Sequence, residues 1–429
     1  MKQLGLHSLI VGAALFSMFF GAGNIIFPPY VGLAAGPEWF PSFLCYYLAD
    51  IGLALAAILA MLRTQSIDKV EGVMVRLGAV PARAMMILVV VCLCPLLGIP
   101  RTCATTYAIA VAPLVQSGAV WPSVLFTVFF FGATLAFSIR ESALVGLLGK
   151  FLTPLLIFGL LLLIILGSVS PIAPISAAPK IQNVVWMSVS AGYQTMDVLA
   201  AIVFGLLVVN ALKARGFHKP RQQFLSVGLA GLVAGFFLFI VYCGLCHLGA
   251  TVSSLYPENV DKGQLVLSIS RHIFGPAGTA VLGAIIGLAC LTTAIALTGS
   301  LGLFFNTLSK GKWPYEIVVI FCCLFSAVVA NFGLSRIISL AAPILTVVYP
   351  GVLAVIALSL FGAGIKNDNV FRLAAAGAMI VSLGEVLGWY WPETFAFILW
   401  LPFQAPGFGW VIPSAVCACL GLLFRRKAA

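Results

Sequence analysis

Charged residues are scarce in this chain. Only 8% of its 429 residues are Asp, Glu, Lys or Arg, whereas 62% are hydrophobic. Soluble domains carry about 25% charged residues, and a folded chain with so few of them could not cover a surface exposed to water. The scarcity excludes soluble globular, disordered and fibrous proteins, and it leaves a protein that crosses a membrane several times.

The motifs of common catalytic and nucleotide-binding sites are also missing. The chain has four histidines, mostly at the ends of apolar segments or in loops, and no His-Glu-x-x-His pair of metal ligands. It lacks the phosphate loop Gly-x-x-x-x-Gly-Lys-Ser/Thr as well, so a nucleotide is not expected to supply energy. An intramembrane enzyme, or a channel or exporter of small solutes, remains an alternative to a carrier.

Basic residues outnumber acidic residues, and they lie in short loops between apolar runs. The chain has 23 Lys and Arg against 12 Asp and Glu, a net charge of +11. No basic patch with interleaved aromatic residues accompanies them. This distribution is typical of membrane topology signals and not of a phosphate-binding surface. We therefore expect a lipid bilayer, and no nucleic acid, around the protein.

Twelve apolar segments are candidates for membrane spans, each of which needs about 20 mostly apolar residues. The runs are long and uninterrupted, which favours helices over barrel strands that alternate over about 10 residues. The sequence therefore predicts an all-α polytopic membrane protein of about 12 transmembrane helices. The segments are 8–33, 40–62, 84–112, 121–139, 143–168, 186–212, 223–248, 277–307, 314–332, 336–361, 371–391 and 407–424.

The loops between these segments predict the orientation. Placing them alternately on two sides puts 18 Lys and Arg on the side of the N-terminus and 4 on the other, with Arg101 inside a span. Loops rich in Lys and Arg stay in the cytoplasm. We therefore expect a multi-pass protein of the cell (inner) membrane with both termini cytoplasmic. The first run is too long for a cleaved signal, and no small-residue cleavage site follows it.

The first span carries residues that disturb a helix near its middle. Gly21, Gly23 and Asn24 follow one another there; glycine permits strained backbone, and asparagine competes for main-chain hydrogen bonds. Irregular backbone at membrane depth is tolerated only inside protein or along a water-filled cavity. Close helix packing through small residues is the alternative explanation.

The sixth span is disturbed in a similar way. Gly192, Gln194, Thr195 and Asp197 lie within six residues of an otherwise apolar segment. An acid inside the membrane is costly and is a functional hypothesis by default. The alternative is that these residues mark the start of the helix at the interface.

The two disturbed spans are more informative together. Gly23 and Thr195 are 172 residues and five spans apart, and an odd number of spans reverses the direction of the helix. Broken helices at matching places in two halves indicate an inverted-topology repeat, in which the ends of the half-helices bind a carboxylate and a small cation.

A third polar position lies in the eighth span, where Thr292 and Thr293 can offer two hydroxyl oxygens to a hard cation. The alternative is a threonine that bonds back to a carbonyl of its own helix. Three further charged residues lie inside spans. They are Asp50, Arg101 and Glu385, and Arg101 could pair with either Asp50 or Asp197; a packing role for it is at least as plausible as a role in transport.

Four strings of the sequence together resemble the branched-chain amino acid:cation symporter family, bacterial carriers of leucine, isoleucine and valine. The resemblance covers essentially the whole chain. In chain order the strings are Phe20-Gly21-Ala22-Gly23-Asn24-Ile25-Ile26-Phe27-Pro28-Pro29, Ile99-Pro100-Arg101-Thr102, Gly192-Tyr193-Gln194-Thr195-Met196-Asp197 and Ala289-Cys290-Leu291-Thr292-Thr293-Ala294.

The resemblance implies a LeuT-like fold within the amino acid–polyamine–organocation group. Spans 1–5 (residues 1–169) and spans 6–10 (residues 170–362) would form the inverted repeats, and residues 363–429 would add two peripheral helices, all within one transporter domain. The implied activity is import of an apolar amino acid by cation symport, without a cofactor.

The same resemblance implies roles for individual residues. The break at Gly21, Ala22, Gly23 and Asn24 would bind the substrate, with the amides of Ala22 and Gly23 on its carboxylate and Asn24 bordering the pocket or a cation. Tyr193, Thr195 and Asp197 would line the pocket, and Asp197 would bind the substrate ammonium or take a proton. The coupling ion would be Na⁺, or H⁺ instead. The implied sodium ligands are the carbonyls of Ser17, Phe20 and Ala289 and the hydroxyls of Thr292 and Thr293.

Overall fold

The computed structural model describes residues 2–115, 121–214, 216–332, 334–362, 364–404 and 407–424. These residues form helices and connecting turns, and none of them lies in a β-strand. The α-helices are α1 (Lys2–Phe19), α2 (Ala22–Ala35), α3 (Trp39–Tyr47), α4 (Leu53–Arg63), α5 (Ala79–Val91), α6 (Ile99–Thr106), α7 (Ala112–Val115), α8 (Trp121–Ser138), α9 (Glu141–Leu147), α10 (Thr153–Val169), α11 (Val184–Tyr193), α12 (Asp197–Lys213), α13 (Pro220–Ala250), α14 (Lys262–Phe274), α15 (Gly278–Leu308), α16 (Tyr315–Ala330), α17 (Leu334–Phe361), α18 (Asp368–Tyr390) and α19 (Val411–Leu423).

The lengths and compositions of these helices confirm a polytopic membrane protein. Among the described residues, nine helical stretches of 18 residues or more are apolar enough to cross a membrane, and three shorter apolar helices accompany them. Every segment predicted from hydrophobicity contains helix, as one α-helix or as two or three joined by irregular turns. The short apolar run near residue 398 forms only a 3₁₀ turn, Ala396–Trp400.

The first and sixth spans are interrupted, as predicted. The first consists of α1 and α2, separated at Phe20 and Gly21, and the sixth consists of α11 and α12, separated at 194–196. In the second break Met196 adopts the left-handed conformation (φ 60°, ψ 25°), which is uncommon for a residue with a side chain. The first break is shorter than predicted, because Gly23 and Asn24 already belong to the first turn of α2.

Other spans contain π-helical turns that hydrophobicity did not predict. Pro95 lies in one of these turns. A π turn holds one extra residue, often occurs at a functional site, and turns the following side chains to a new direction. The four described turns are Leu48–Gly52, Cys92–Gly98, Tyr107–Val111 and Leu148–Leu152.

The polar stretch after the seventh span contains a helix of its own. The side chain of Asp261 accepts a hydrogen bond from the Gln264 amide (2.9 Å) and so caps the start of α14. The ammonium of Lys262 lies 4.4 Å from the ring centre of Phe27 and 4.7 Å from that of Tyr30. The stretch therefore contains a helix that packs against α2 and that was not among the twelve predicted segments.

The interrupted spans lie in the middle of the bundle. Nearly every residue of α12 is buried, as expected of a helix that is apolar on all sides and enclosed by others. By contrast, α8 exposes Leu125, Val128 and Phe129 on its outer face. The helix α13 packs along both α1 and α2, and a Cβ added at Gly249 would lie 1.9 Å from the carbonyl oxygen of Pro29. Backbone contact of this closeness holds the first break in place.

Candidate functional site

The break between α1 and α2 brings a helix end and a helix start together inside the bundle. The Gly21 amide donates to the side-chain oxygen of Asn24 (3.4 Å), which is half of a capping box at the start of α2. The next amides, those of Ala22 and Gly23, lie in the first turn of α2, where backbone N–H groups lack intrahelical acceptors and the helix dipole is positive. The carbonyls at the end of α1 provide the opposite polarity.

Four of the residues implied as sodium ligands lie together beside the end of α1, and we call Ser17, Ala289, Thr292 and Thr293 the threonine shelf. The Thr292 hydroxyl donates to the carbonyls of Ser17 (3.0 Å) and Ala289 (2.8 Å). The Thr293 hydroxyl lies 3.4 Å from the Ser17 carbonyl. The shelf thus gathers two carbonyls and two hydroxyls between α1 and α15.

Gly21 and Phe20 lie next to the threonine shelf, at the break between α1 and α2. A Cβ added at Gly21 would lie 3.1 Å from the Thr293 hydroxyl, so the break fits against the shelf without a side chain. Phe20 continues the ladder of α1 through its amide, which donates to the Phe16 carbonyl (2.9 Å). Its implied role as a sodium ligand stays a prediction.

The other side of the break is charged, and Asn24 lies at its centre. The Asn24 amide nitrogen is 2.6 Å from Asp197 Oδ2, 2.6 Å from the Tyr242 hydroxyl and 3.5 Å from Asp50 Oδ2. The hydroxyl of Thr195 donates to Asp50 Oδ1 (2.7 Å). We call Asp50 and Asp197 the carboxylate pair; their exposed fractions are 1% and 8%.

The two breaks therefore meet through side chains. Asn24 belongs to the first break, whereas Thr195 and Asp197 belong to the second, and the structure brings these three predicted site residues together. Asp197 lies in the first turn of α12, where a negative charge is favourable. Tyr193 is the last residue of α11, and its ring packs against those of Tyr349 (4.6 Å between centroids) and Phe408 (5.2 Å).

Asp50 is the residue of this site that sequence reasoning left without a role. Its position inside a span was the available signal, but the partner came from a span more than 140 residues away. Asp50 lies in the π turn Leu48–Gly52 of the second span. A Cβ added at Gly192 would lie 2.5 Å from the Tyr46 carbonyl and 3.1 Å from the Asp50 amide, so α11 packs directly on that turn.

Arg101 brings a positive charge to the same region. Its Nη2 atom lies 4.0 Å from the position that a Cβ on Gly23 would occupy. Its buried Nε atom has no hydrogen-bond partner among the described residues. Arg101 interacts electrostatically with Asp197, although no described ion pair within 4.0 Å includes Arg101.

A family model described as "Branched-chain amino acid transport protein" matches residues 5–428. The chain belongs to this family. It is accordingly a multi-pass membrane transport protein and not an enzyme. A similar relative is the branched-chain amino acid permease BraB of Bacillus subtilis (strain 168), 35% identical over 424 residues that cover 96% of this chain and 94% of the permease.

Solved structures of low sequence identity share the fold of this family member. A Na⁺-coupled sialic acid symporter in a substrate-bound outward-open state aligns with a TM-score of 0.58 at 15% identity, covering 96% of this chain and 89% of its own. MhsT in complex with L-phenylalanine aligns with a TM-score of 0.54 at 18% identity, covering 96% and 98%. These alignments confirm the LeuT-like fold with its interrupted first and sixth helices.

Proposed function

We propose that this family member is a secondary active transporter that imports leucine, isoleucine and valine together with Na⁺ by alternating access. The observation that carries the proposal is the arrangement around one helix break, where a shelf of uncharged oxygens adjoins the free amides of a helix start. Permease relatives such as BraB support the substrate class, and the fold of the Na⁺-coupled neighbour is compatible with an ion-driven cycle.

The substrate carboxylate binds at the start of α2. The amides of Ala22 and Gly23, at the positive end of the helix, are suited to an anion. The guanidinium of Arg101 approaches the same turn and adds a charge that can form a bidentate contact with a carboxylate. The substrate ammonium faces the carbonyls at the end of α1 and the carboxylate of Asp197, which completes the recognition of a zwitterion.

The side chain of the substrate meets an apolar wall. The rings of Phe20 and Tyr242 lie 6.0 Å apart beside the break, and both are buried. Tyr193 lines the pocket from the end of α11. A wall of this kind favours aliphatic side chains over charged ones, since a buried charge without a partner is costly.

Sodium binds at the threonine shelf. Uncharged carbonyl and hydroxyl oxygens beside an interrupted helix are the ligands that this type of carrier uses for Na⁺. The ligands are the Ser17, Phe20 and Ala289 carbonyls and the Thr292 and Thr293 hydroxyls. Because Ser17 lies on α1 and the threonines lie on α15, the bound ion holds these two helices together.

The two inverted repeats provide the helices that move during transport. Residues 1–169 and 170–362 form the inverted repeats, each with one interrupted helix, and 363–429 form two peripheral helices. Rocking of one set of helices against the other exposes the site to either side of the cell inner membrane. The charge distribution of the loops supports a cytoplasmic location of both termini.

The test is uptake of labelled leucine into proteoliposomes that contain the purified chain. We expect uptake when Na⁺ is outside and choline is inside, and at least tenfold less when choline is on both sides. Competition by all 20 amino acids should leave isoleucine and valine as the strongest competitors. Liposomes without protein are the control, and saturable counterflow of leucine distinguishes a carrier from a channel. Uptake that is equal with and without a cation gradient would contradict the proposal.

A further inference from the structure

We propose that Asp50 and Asp197 form a proton site, separate from the threonine shelf, that carries one proton into the cell with each amino acid. The inference rests on the proposed symport and adds a second ion to it. Its geometric basis is that one amide nitrogen, that of Asn24, contacts both carboxylates in the buried centre of the bundle.

The two carboxylates are too close to be ionised together without compensation. Asp50 and Asp197 come from different spans, yet Oδ2 of each lies within 3.5 Å of Asn24 Nδ2. Both side chains are buried. Two carboxylates that share one buried position hold a proton between them, because the second negative charge is costly there.

The charges around the pair leave one negative charge unbalanced. Arg101 supplies a single positive charge near Asp197. Among the described residues no Lys, Arg or His nitrogen lies within 4.0 Å of either carboxylate. A zwitterionic amino acid adds no net charge. One monovalent cation therefore neutralises the site, and a proton is the one that two carboxylates can bind without further ligands. The other titratable groups that face the pair are the tyrosines Tyr46, Tyr47, Tyr242 and Tyr349.

The hydrogen-bond count favours a proton as well. Asn24 has two amide hydrogens but three oxygens within reach, those of Asp50, Asp197 and Tyr242. The Thr195 hydroxyl has one hydrogen for Asp50 and for the Gly192 carbonyl. A proton on either carboxyl adds one donor to this set, beside the hydroxyl hydrogens of Tyr46 and Tyr242.

Tyr46 lies where its hydroxyl can respond to the protonation state of the pair. The hydroxyl is buried (1% of the residue is exposed) and faces Asp50, although no described hydrogen bond of standard distance and angle joins the two. A buried hydroxyl without a partner costs free energy. A protonated carboxyl on Asp50 can donate to this oxygen, and an ionised carboxylate can accept from it, so Tyr46 responds to both states of the pair.

Asn24 links the proton to the substrate site. Its side-chain oxygen accepts from the Gly21 amide at the break, while its nitrogen contacts both carboxylates. Proton binding converts a carboxylate to a carboxylic acid and removes the repulsion between the second span and α12. Proton release to the cytoplasm restores the negative charge of the carboxylate and changes which of its contacts Asn24 keeps. The protonation state of the pair therefore affects the geometry of the break.

The test measures protons directly. Proteoliposomes with a trapped pH-sensitive dye receive leucine and saturating Na⁺ outside, with the membrane potential clamped by K⁺ and valinomycin. We expect the lumen to acidify by about one proton for each leucine taken up. At the same Na⁺ gradient, acidifying the outside by one unit should raise the initial uptake rate several-fold. Sodium-coupled uptake without either effect would overturn the proton site and leave the proposed function intact, whereas no leucine uptake at all would overturn the proposed function.

Two variants assign the proton to the pair. Asp50→Asn should abolish lumen acidification and the response to external pH, while leucine counterflow, which needs no net proton release, survives at a reduced rate. Glu385→Gln removes another acid inside a span, outside the pair, and should acidify like the wild type. Tyr46→Phe should shift the pH at which uptake is half-maximal. Acidification at the wild-type ratio in Asp50→Asn would show that the proton binds elsewhere; should that variant not fold, the wild-type measurement still decides whether a proton moves.

Discussion

The threonine shelf and the carboxylate pair lie at the two sides of the same helix break, yet they differ in charge. The shelf consists of carbonyls and hydroxyls that already hydrogen-bond to one another, such as Thr292 with Ser17 and Ala289. The pair consists of two acids that compete for the same donor, Asn24. Uncharged oxygens can stay buried with or without an ion, whereas buried acids need a cation or a proton.

This difference separates two functions of the proposed symporter, binding of Na⁺ and binding of a proton. The shelf contacts the end of α1 and suits an ion whose affinity depends on the position of α15. The pair contacts the start of α2 and the start of α12, so its charge acts on both breaks at once. Variants that affect one side and spare the other test the separation.

The largest effect is expected at Asn24, which joins both breaks. Asn24→Leu preserves the approximate volume but removes the donor to Asp197 and Tyr242 and the acceptor for Gly21. Hydrogen bonds to charged groups contribute about 1.5–3 kcal/mol, so leucine uptake should fall at least tenfold and up to about 100-fold. Labelled uptake at matched reconstitution measures this. Asn331→Leu, at an exposed helix end, is the control and should transport normally; wild-type uptake by Asn24→Leu would show that the two breaks work independently.

A tenfold effect on the sodium dependence of uptake is expected from a substitution in the threonine shelf. Thr292→Ala removes a hydroxyl that contacts the carbonyls of both α1 and α15. The Na⁺ concentration for half-maximal uptake should rise about tenfold, while lumen acidification per leucine stays unchanged. The matched control is Thr298→Ala on the same helix, since the buried Thr298 hydroxyl lies outside the shelf and has no hydrogen-bond partner within standard limits in the described part of the chain. Sodium dependence that is the same in Thr292→Ala and in the wild type would remove the shelf from the sodium site.

A moderate decrease in stability and uptake is expected from a substitution where α11 packs on the second span. Gly192→Ala places a methyl group 2.5 Å from the Tyr46 carbonyl and so pushes α11 away from the turn that holds Asp50. Overpacking of this kind costs about 1–3 kcal/mol, so both the melting temperature and uptake should decrease. Gly132→Ala on α8 adds the same methyl group where no atom of a described residue lies within 4 Å, and its melting temperature should not fall. Equal stability of the two variants would contradict the close contact.

The smallest effect is expected on stability, from charged residues at the surface. These residues are exposed to solvent, unlike the buried carboxylate pair. Partial burial of Glu71 opposes ionisation, but hydrogen bonds from its own backbone and from Arg83 (2.7 Å) outweigh it and hold the pKa of Glu71 below its ordinary value of 4.5. A lowered pKa contributes stability above that ordinary value, and the contribution is lost as the pH falls through the lower folded value. The Arg83 side chain is 56% exposed, so the contribution is below about 1 kcal/mol.

Thermal unfolding of Glu71→Gln at two pH values measures this contribution. The variant should melt slightly below the wild type at pH 7, and the difference should vanish once the wild-type carboxyl is protonated. Arg83→Gln should reduce stability by a similar amount at pH 7. A difference that grows on acidification would mean that the sign of the Glu71 contribution is wrong.

Hydrophobicity and helix-breaking residues were sufficient to predict the bundle and both breaks. The runs of apolar residues are local signals, and Gly21 or Gln194 disturb a helix wherever it packs. Motif similarity also grouped Ser17 with the threonines of the eighth span, and the structure places them side by side, while their role as sodium ligands stays a prediction. The position of Tyr193 against Tyr349 and Phe408 was not predictable, because those rings come from the tenth span and from the stretch before α19.

The partners of Asp50 could not be read from the sequence for a different reason. Apolar residues surround it in the chain, and which way it points depends on a π turn that no propensity marks. Its contact with Thr195 joins residues 145 positions apart. The helix α14 was not predicted because its stretch is too polar to be recognised as a membrane span. Its contact with α2 is also not visible in the sequence.

The extra residue in the turn Leu48–Gly52 has a consequence for how the second span tolerates change. A π turn rotates everything after it relative to everything before it, so the lipid-facing side of α3 and that of α4 are set independently. Deleting one residue there would restore a regular helix and swing Asp50 by roughly 100°, toward the hydrocarbon or a neighbouring helix. The number of residues in this turn therefore fixes the direction of Asp50, and a deletion there would move the acid even if every remaining residue of the span were unchanged.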